Sequence, residues 1–200
     1  MKVGIVGFGS IGTEVAKALI IGVENFSLYG VVSRSRENVE QRILQLNHQI
    51  KIFELETLIE KCDIIIDCAP KEAFRKIAIQ CIQKDKTLIT VSGAGILDNL
   101  DLEEMAREKN TQIILATGAI LGLDALRAAS ESKINSVKMT TRKPPNALSN
   151  APYVVKNGIQ LHQLLESKLI FKGSATEGAK AFPANVNVAA AVGLAGIGAD

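Results

Sequence analysis

The chain has 200 residues, 47% apolar, 22% charged and 4% aromatic, and its 23 Lys and Arg against 21 Asp and Glu leave a formal charge of +2. This is the composition of an ordinary globular protein, and a charge so near zero, with the basic residues dispersed, argues against a nucleic-acid partner. The apolar runs at 64–66 and 189–195 fall well short of the roughly 20 residues of a membrane helix, and one Lys followed at once by a Gly-rich motif is not the layout of a signal peptide, so a cytoplasmic protein without a membrane partner is expected.

Hydrophobic periodicity predicts short β-branched runs alternating with longer amphipathic stretches. Residues 2–6 read as a strand, 10–20 as a helix, 27–33 as a strand and 36–46 as a helix. A short strand at 50–53 and a helix at 54–61 follow. Residues 63–67, nearly all Ile, read as a strand buried on both faces. Then come a helix at 71–83, a strand at 87–91, a helix at 99–109 and a strand at 112–115. Six strands alternating with helices are the pattern of a parallel sheet.

After Ala116 the texture changes. Residues 119–132 read as a helix rich in Ala and Leu, and 134–141 alternate well enough for a half-exposed strand. Residues 142–152 hold three of the five prolines and predict a loop. A strand at 168–171, a short helix at 175–181 and a small-residue helix at 185–195 complete the chain, with Asn185 as N-cap candidate for the last. Cys62, Cys68 and Cys81 lack any Cys-x-x-Cys spacing, so neither a disulfide framework nor a metal site is expected, and small buried hydrophobes are the reading.

Gly7-Phe8-Gly9-Ser10-Ile11-Gly12 is a G-x-G-x-x-G set between the first strand and the first helix, the context the motif requires. Gly7 permits the tight turn, Gly9 removes a Cβ that would block a pyrophosphate, and Gly12 lets the helix lie close to the strand. The N–H groups of Ser10, Ile11 and their neighbours, at the positive end of the helix, would hold the phosphates. The expected fold is therefore α/β. A Rossmann doubly wound parallel sheet over 1–118 is followed by a smaller α+β substrate and dimerisation domain over 119–200.

At the end of the second strand the sequence runs Val32-Ser33-Arg34-Ser35-Arg36, with no acid before Glu37. Arg34 can pair with a 2′-phosphate through its planar fork and Ser33 can bond it, which favours NADP over NAD. A solvated, basic helix start is the plainer alternative. The nicotinamide end is expected at the carboxyl ends of the fourth and fifth strands, at Asp67-Cys68-Ala69-Pro70 and Ser92-Gly93-Ala94-Gly95, where small residues let a flat ring approach backbone. Cys68 has no nearby His or cationic helix signal to make it a nucleophile.

Together with the glycine motif, the segments Ala116-Thr117-Gly118-Ala119-Ile120-Leu121-Gly122-Leu123-Asp124, Thr140-Thr141-Arg142-Lys143-Pro144-Pro145, Phe171-Lys172-Gly173-Ser174-Ala175 and Phe182-Pro183-Ala184-Asn185-Val186-Asn187-Val188-Ala189-Ala190 resemble those of L-aspartate dehydrogenases, in the right order along the whole chain. The resemblance implies oxidation of the amine of L-aspartate with NAD or NADP to iminoaspartate. Water then converts this to oxaloacetate and ammonia, or it enters quinolinate and NAD biosynthesis. It places Ala119 and Asn187 against the cofactor; simple helix packing and a locally satisfied amide are the alternatives. Arg142 and Lys143 would either meet a dicarboxylic substrate or belong to a solvated loop.

The resemblance also implies a catalytic histidine on a segment beyond Asp200, so no catalytic residue is identified in the chain, and the second domain is expected to be unfinished. His48 and His162 read as ordinary surface or helix residues. A homodimer is expected, with 134–141 and 168–171 pairing across a two-fold axis. Two rival readings remain. One is a homoserine dehydrogenase-like or dihydrodipicolinate reductase-like enzyme sharing the first domain; the other is a non-catalytic NADP-binding protein.

Overall fold

In the computed structural model, which describes residues 1–116, 118, 120–162, 164–183 and 187–200, the chain divides into two compact units, Met1–Ala116 and Thr117–Asp200. The first holds five parallel strands, β1 (Lys2–Val6), β2 (Ser27–Val32), β3 (Ile64–Asp67), β4 (Thr87–Thr90) and β5 (Ile113–Leu115), in the order β2-β1-β3-β4-β5. Crossover helices connect them: α1 (Ser10–Ile21), α2 (Arg36–Gln45), α3 (Leu55–Lys61), α4 (Lys71–Gln83), α5 (Gly93–Leu97) and α6 (Asp101–Glu108). This is the expected α/β fold. Strand order reverses at β1, so the carboxyl ends of β1 and its neighbours open a crevice there.

Both faces of the sheet are covered, which is why β3 is nearly pure isoleucine. Ile65 packs with Leu58, Phe74, Ile77, Leu88 and Leu102 on one side. Ile66 faces the other side, where Ile5, Phe8, Ala16, Val31 and Val39 form a second cluster. Gly4 lies under α3: a Cβ there would stand 2.8 Å from Leu58.

Two local expectations for this unit change. The strand expected at 50–53 is a single parallel bridge between Val31 and Ile52. Main-chain bonds from Val31 N–H to Lys51 and from Phe53 N–H to Val31 hold it, and the Tyr29–Phe53 ring stack at 5.4 Å closes that edge. The segment at 93–97, unassigned in the sequence, is the short helix α5. Its Gly95 is required by packing, since a Cβ would stand 2.7 Å from the Phe74 ring.

The second unit contains α7 (Leu123–Ser130), a 3₁₀ turn (Pro145–Ala147), α8 (Pro152–Lys156), α9 (Ala175–Ala181) and α10 (Asn187–Ala195). Ser174 and Glu177 form a reciprocal capping box on α9, with bonds of 3.1 and 2.8 Å. Tyr153, Phe171 and Phe182 form an aromatic trio with centroids 5.3–5.6 Å apart, and α10 packs its small residues against α7 and α9. No strand is present among the described residues of this unit, so the expected strands at 134–141 and 168–171 are corrected to unladdered chain. An alternating pattern makes a strand only where a neighbouring chain accepts its main-chain bonds.

Candidate functional site

β1 ends at Val6 and the chain turns sharply into α1. Gly7 makes the turn with φ +90°, a conformation that excludes side chains, and a Cβ on it would lie 2.5 Å from the Ala69 amide nitrogen. Gly12 is buried against the Gly7 carbonyl, into which a Cβ would collide. Gly9 differs from both. It is the N-cap of α1, in extended backbone that any residue adopts, and a Cβ built on it meets nothing within 4 Å. The fold needs glycine at 7 and 12 but leaves open space at 9, the space a ligand's phosphates would take.

The start of α1 is also electrostatically open. Helices α2, α3, α4 and α6 carry acids in their first turns, whereas α1 has none, so its positive end is uncompensated by its own residues. Ser10 is exposed, and Ile11 presents an apolar side chain 53% exposed at the same point. Thr13, almost buried, donates its hydroxyl to the Gly9 carbonyl at 2.8 Å and pins the turn from behind.

At the end of β2, Ser33 is half-buried and Arg34 exposed. Ser35 caps α2 by accepting from Asn38 N–H at 3.4 Å, and Arg36 is engaged with Glu40 at 3.0 Å. Arg34 is in no ion pair among the described residues, so of the two arginines it is the one free to meet a 2′-phosphate.

The turns after β3 and β4 lie on the same carboxyl edge. Ala69 is half-buried behind Gly7, and Pro70, exposed, caps α4. Burial, reinforced by the neighbouring Asp67 charge, pushes the Cys68 thiol up to about 11, so it is no nucleophile at neutral pH. Cys62 and Cys81 are buried, as expected.

Beneath these turns lies a polar network that the sequence reading missed. Asp67 is 1% exposed, Thr90 0% and Ser92 3%. Ala69 N–H donates to Asp67 Oδ1 at 2.9 Å, Thr90 O–H donates to Asp67 Oδ2 at 2.7 Å, and Ser92 N–H donates to Thr90 Oγ1 at 2.9 Å. Burial lifts the Asp67 carboxyl above its ordinary value, an effect the bonds from Thr90 and Ala69 oppose. The available signal was an Asp directly after three isoleucines in a buried strand.

His48 is exposed beside Leu28 and Tyr29, away from the carboxyl edge, and His162 is exposed in the second unit. Arg142 and Lys143 are exposed. Asn187 opens α10, while Ala119 and Asn185 lie outside the described residues. No group of acids, His and Cys that could hold a metal occurs among the described residues, and no helix among them is long and apolar enough to cross a membrane.

Comparison with known proteins divides at the same place as the fold. The family model described as homoserine dehydrogenase, NAD binding domain, matches residues 7–116, and the model described as aspartate dehydrogenase, C-terminal, matches 124–200. An L-aspartate dehydrogenase from Bradyrhizobium diazoefficiens is 42% identical over all of this chain and 71% of its own length. One from Methanococcoides burtonii is 36% identical over all of this chain and 75% of its own. The crystal structure of aspartate dehydrogenase from Thermotoga maritima shares the fold, with a TM-score of 0.73 at 24% identity over 97% of this chain and 73% of that one.

Proposed function

The chain belongs to the L-aspartate dehydrogenase family, and from that premise we propose that it oxidises L-aspartate to iminoaspartate with NADP or NAD as hydride acceptor. The observation that carries the cofactor half is Gly9, a glycine that neither its backbone angles nor its neighbours require. The substrate half rests on the match to the aspartate dehydrogenase C-terminal model over 124–200 and on relatives matched along the whole chain.

The residues fit the dinucleotide. Gly7, whose own N–H donates to the Val32 carbonyl at 2.9 Å, makes the turn that lets Gly9, Ser10, Ile11 and Gly12 take the pyrophosphate at the positive end of α1. Ser33 and Arg34 meet the adenosine ribose or its 2′-phosphate, which favours NADP. Ala69 and Pro70 line the way toward the ends of β3 and β4. The family resemblance adds Ala119 and Asn187 as cofactor contacts. When bound, the cofactor supplies the hydride acceptor for the substrate Cα–H. The protein orients the two partners, and Arg142 and Lys143 offer cationic partners for the two substrate carboxylates.

The proposal includes a homodimer. Leu165 and Leu169 of the second unit are 99% and 76% exposed, apolar surface that a second copy would cover; sedimentation of the purified chain at twice its monomer mass is the expected result.

The test of the activity is aspartate-dependent reduction of NADP or NAD by the purified protein. Oxidation of homoserine in place of aspartate would support the rival that shares the first domain, and robust NADP binding without turnover of any amino acid or alcohol would support a binding protein.

A further inference from the structure

An Asp at the end of β3 is expensive. Its strand neighbours are Val6 on β1 and Thr90 on β4, it is 1% exposed, and a buried carboxylate costs several kcal/mol unless its oxygens are bonded. Three isoleucines precede it, so an apolar residue would extend the strand's own pattern. No cation is among the groups that shift it; desolvation, Thr90 and Ala69 are the causes. The carboxyl is thus held only by donors, and two of the three bonds in the network come from the turns that follow β3 and β4.

Those turns have one thing in common. The Cys68–Ala69 backbone is the surface against which Gly7 packs, and Ser92, through Ser92 N–H, is tied to the same carboxyl by way of Thr90. Val91 N–H adds a main-chain bond to the Asp67 carbonyl at 3.2 Å. The β3 and β4 turns are therefore tied to each other by a buried side chain as well as by main chain, and the phosphate turn packs against the first of them.

We propose that Asp67 is a positioning residue for the nicotinamide half of the cofactor: with Thr90 it clasps the β3 and β4 turns so that the floor beneath the ring is formed before the cofactor arrives. The inference rests on the dinucleotide reading above. The adenosine half is held at the start of α1 and the end of β2, and none of the three clasp bonds runs to either, so the two halves of the cofactor respond differently when the clasp is cut.

Thr90→Val removes both the hydroxyl donated to Asp67 and the acceptor of Ser92 N–H while keeping the shape, and Thr90→Ser restores them. Asp67→Asn is the companion variant. The probes are 2′-phospho-ADP-ribose, which lacks only the nicotinamide, and NADPH, whose nicotinamide fluorescence rises when the ring is immobilised. Wild type is expected to bind both. Thr90→Val should bind 2′-phospho-ADP-ribose within about twofold of wild type, lose the NADPH fluorescence rise, and drop in kcat at least tenfold with little change in KM for aspartate; Thr90→Ser should recover all three. Equal weakening of both probes, or no change in either, overturns the clasp. Wild type binding neither probe overturns the cofactor site itself, and the clasp with it.

Discussion

Gly7 and Ala69 meet backbone to backbone: a Cβ on Gly7 would stand 2.5 Å from the Ala69 amide nitrogen, and Gly7 also holds φ at +90°. Gly12 presses on the Gly7 carbonyl in the same way, whereas Gly9 faces open space. The three glycines of one motif are therefore separable by experiment. Gly7→Ala and Gly12→Ala should each lower unfolding free energy by about 2 kcal/mol or more. Gly9→Ala should stay within about 0.5 kcal/mol of wild type while weakening NADP binding at least tenfold. Urea denaturation and fluorescence titration read the two effects, and a Gly9→Ala protein that binds NADP normally would remove the main physical support for the cofactor site.

What the sequence made legible was local. The glycine motif, the all-Ile β3 and the small-residue turns after β3 and β4 carry their meaning in adjacent residues, so the sheet and the phosphate turn were readable. What escaped depended on partners far along the chain. The 50–53 run alternates like a strand but finds only a one-residue bridge to Val31, and 134–141 alternates with no ladder among the described residues. Helix α5 is a Gly-Ala-Gly stretch with poor intrinsic propensity; Phe74 packed on Gly95 holds it. Asp67 looked like a polar strand end until Thr90, 23 residues away, was seen to donate to it.

The proposed NADP preference rests on Arg34, since Arg36 is paired with Glu40 and no acid lies between Val32 and Glu37. A charge-assisted bond contributes about 1.5–3 kcal/mol, so Arg34→Ala should weaken NADP by roughly 10- to 100-fold and leave NAD nearly unchanged. Ser33→Asp, which places an acid where a ribose 2′-hydroxyl would lie, should move preference toward NAD. The ratio of kcat/KM for the two cofactors measures both. A ratio unmoved by Arg34→Ala would mean that the arginine is merely solvated.

The raised carboxyl of Asp67 has a consequence for stability as a function of pH. Burial favours its protonated form, so the folded protein holds that proton more tightly than the unfolded chain does, and ionising the group costs the fold. The cost is fully present above the raised folded value and disappears as pH falls to the ordinary carboxylate value. Asp67→Asn has no such dependence. Relative to that variant, wild type should gain stability as pH is lowered through the window between the two values, by about 1.4 kcal/mol for each unit by which the folded value is raised. Urea midpoints of both proteins across the acidic range provide the comparison, with the other carboxylates cancelling between them. A difference that stays flat would show that the donors from Thr90 and Ala69 fully offset the burial, and one that falls as pH is lowered would show that the fold holds the ionised carboxylate in preference to the acid.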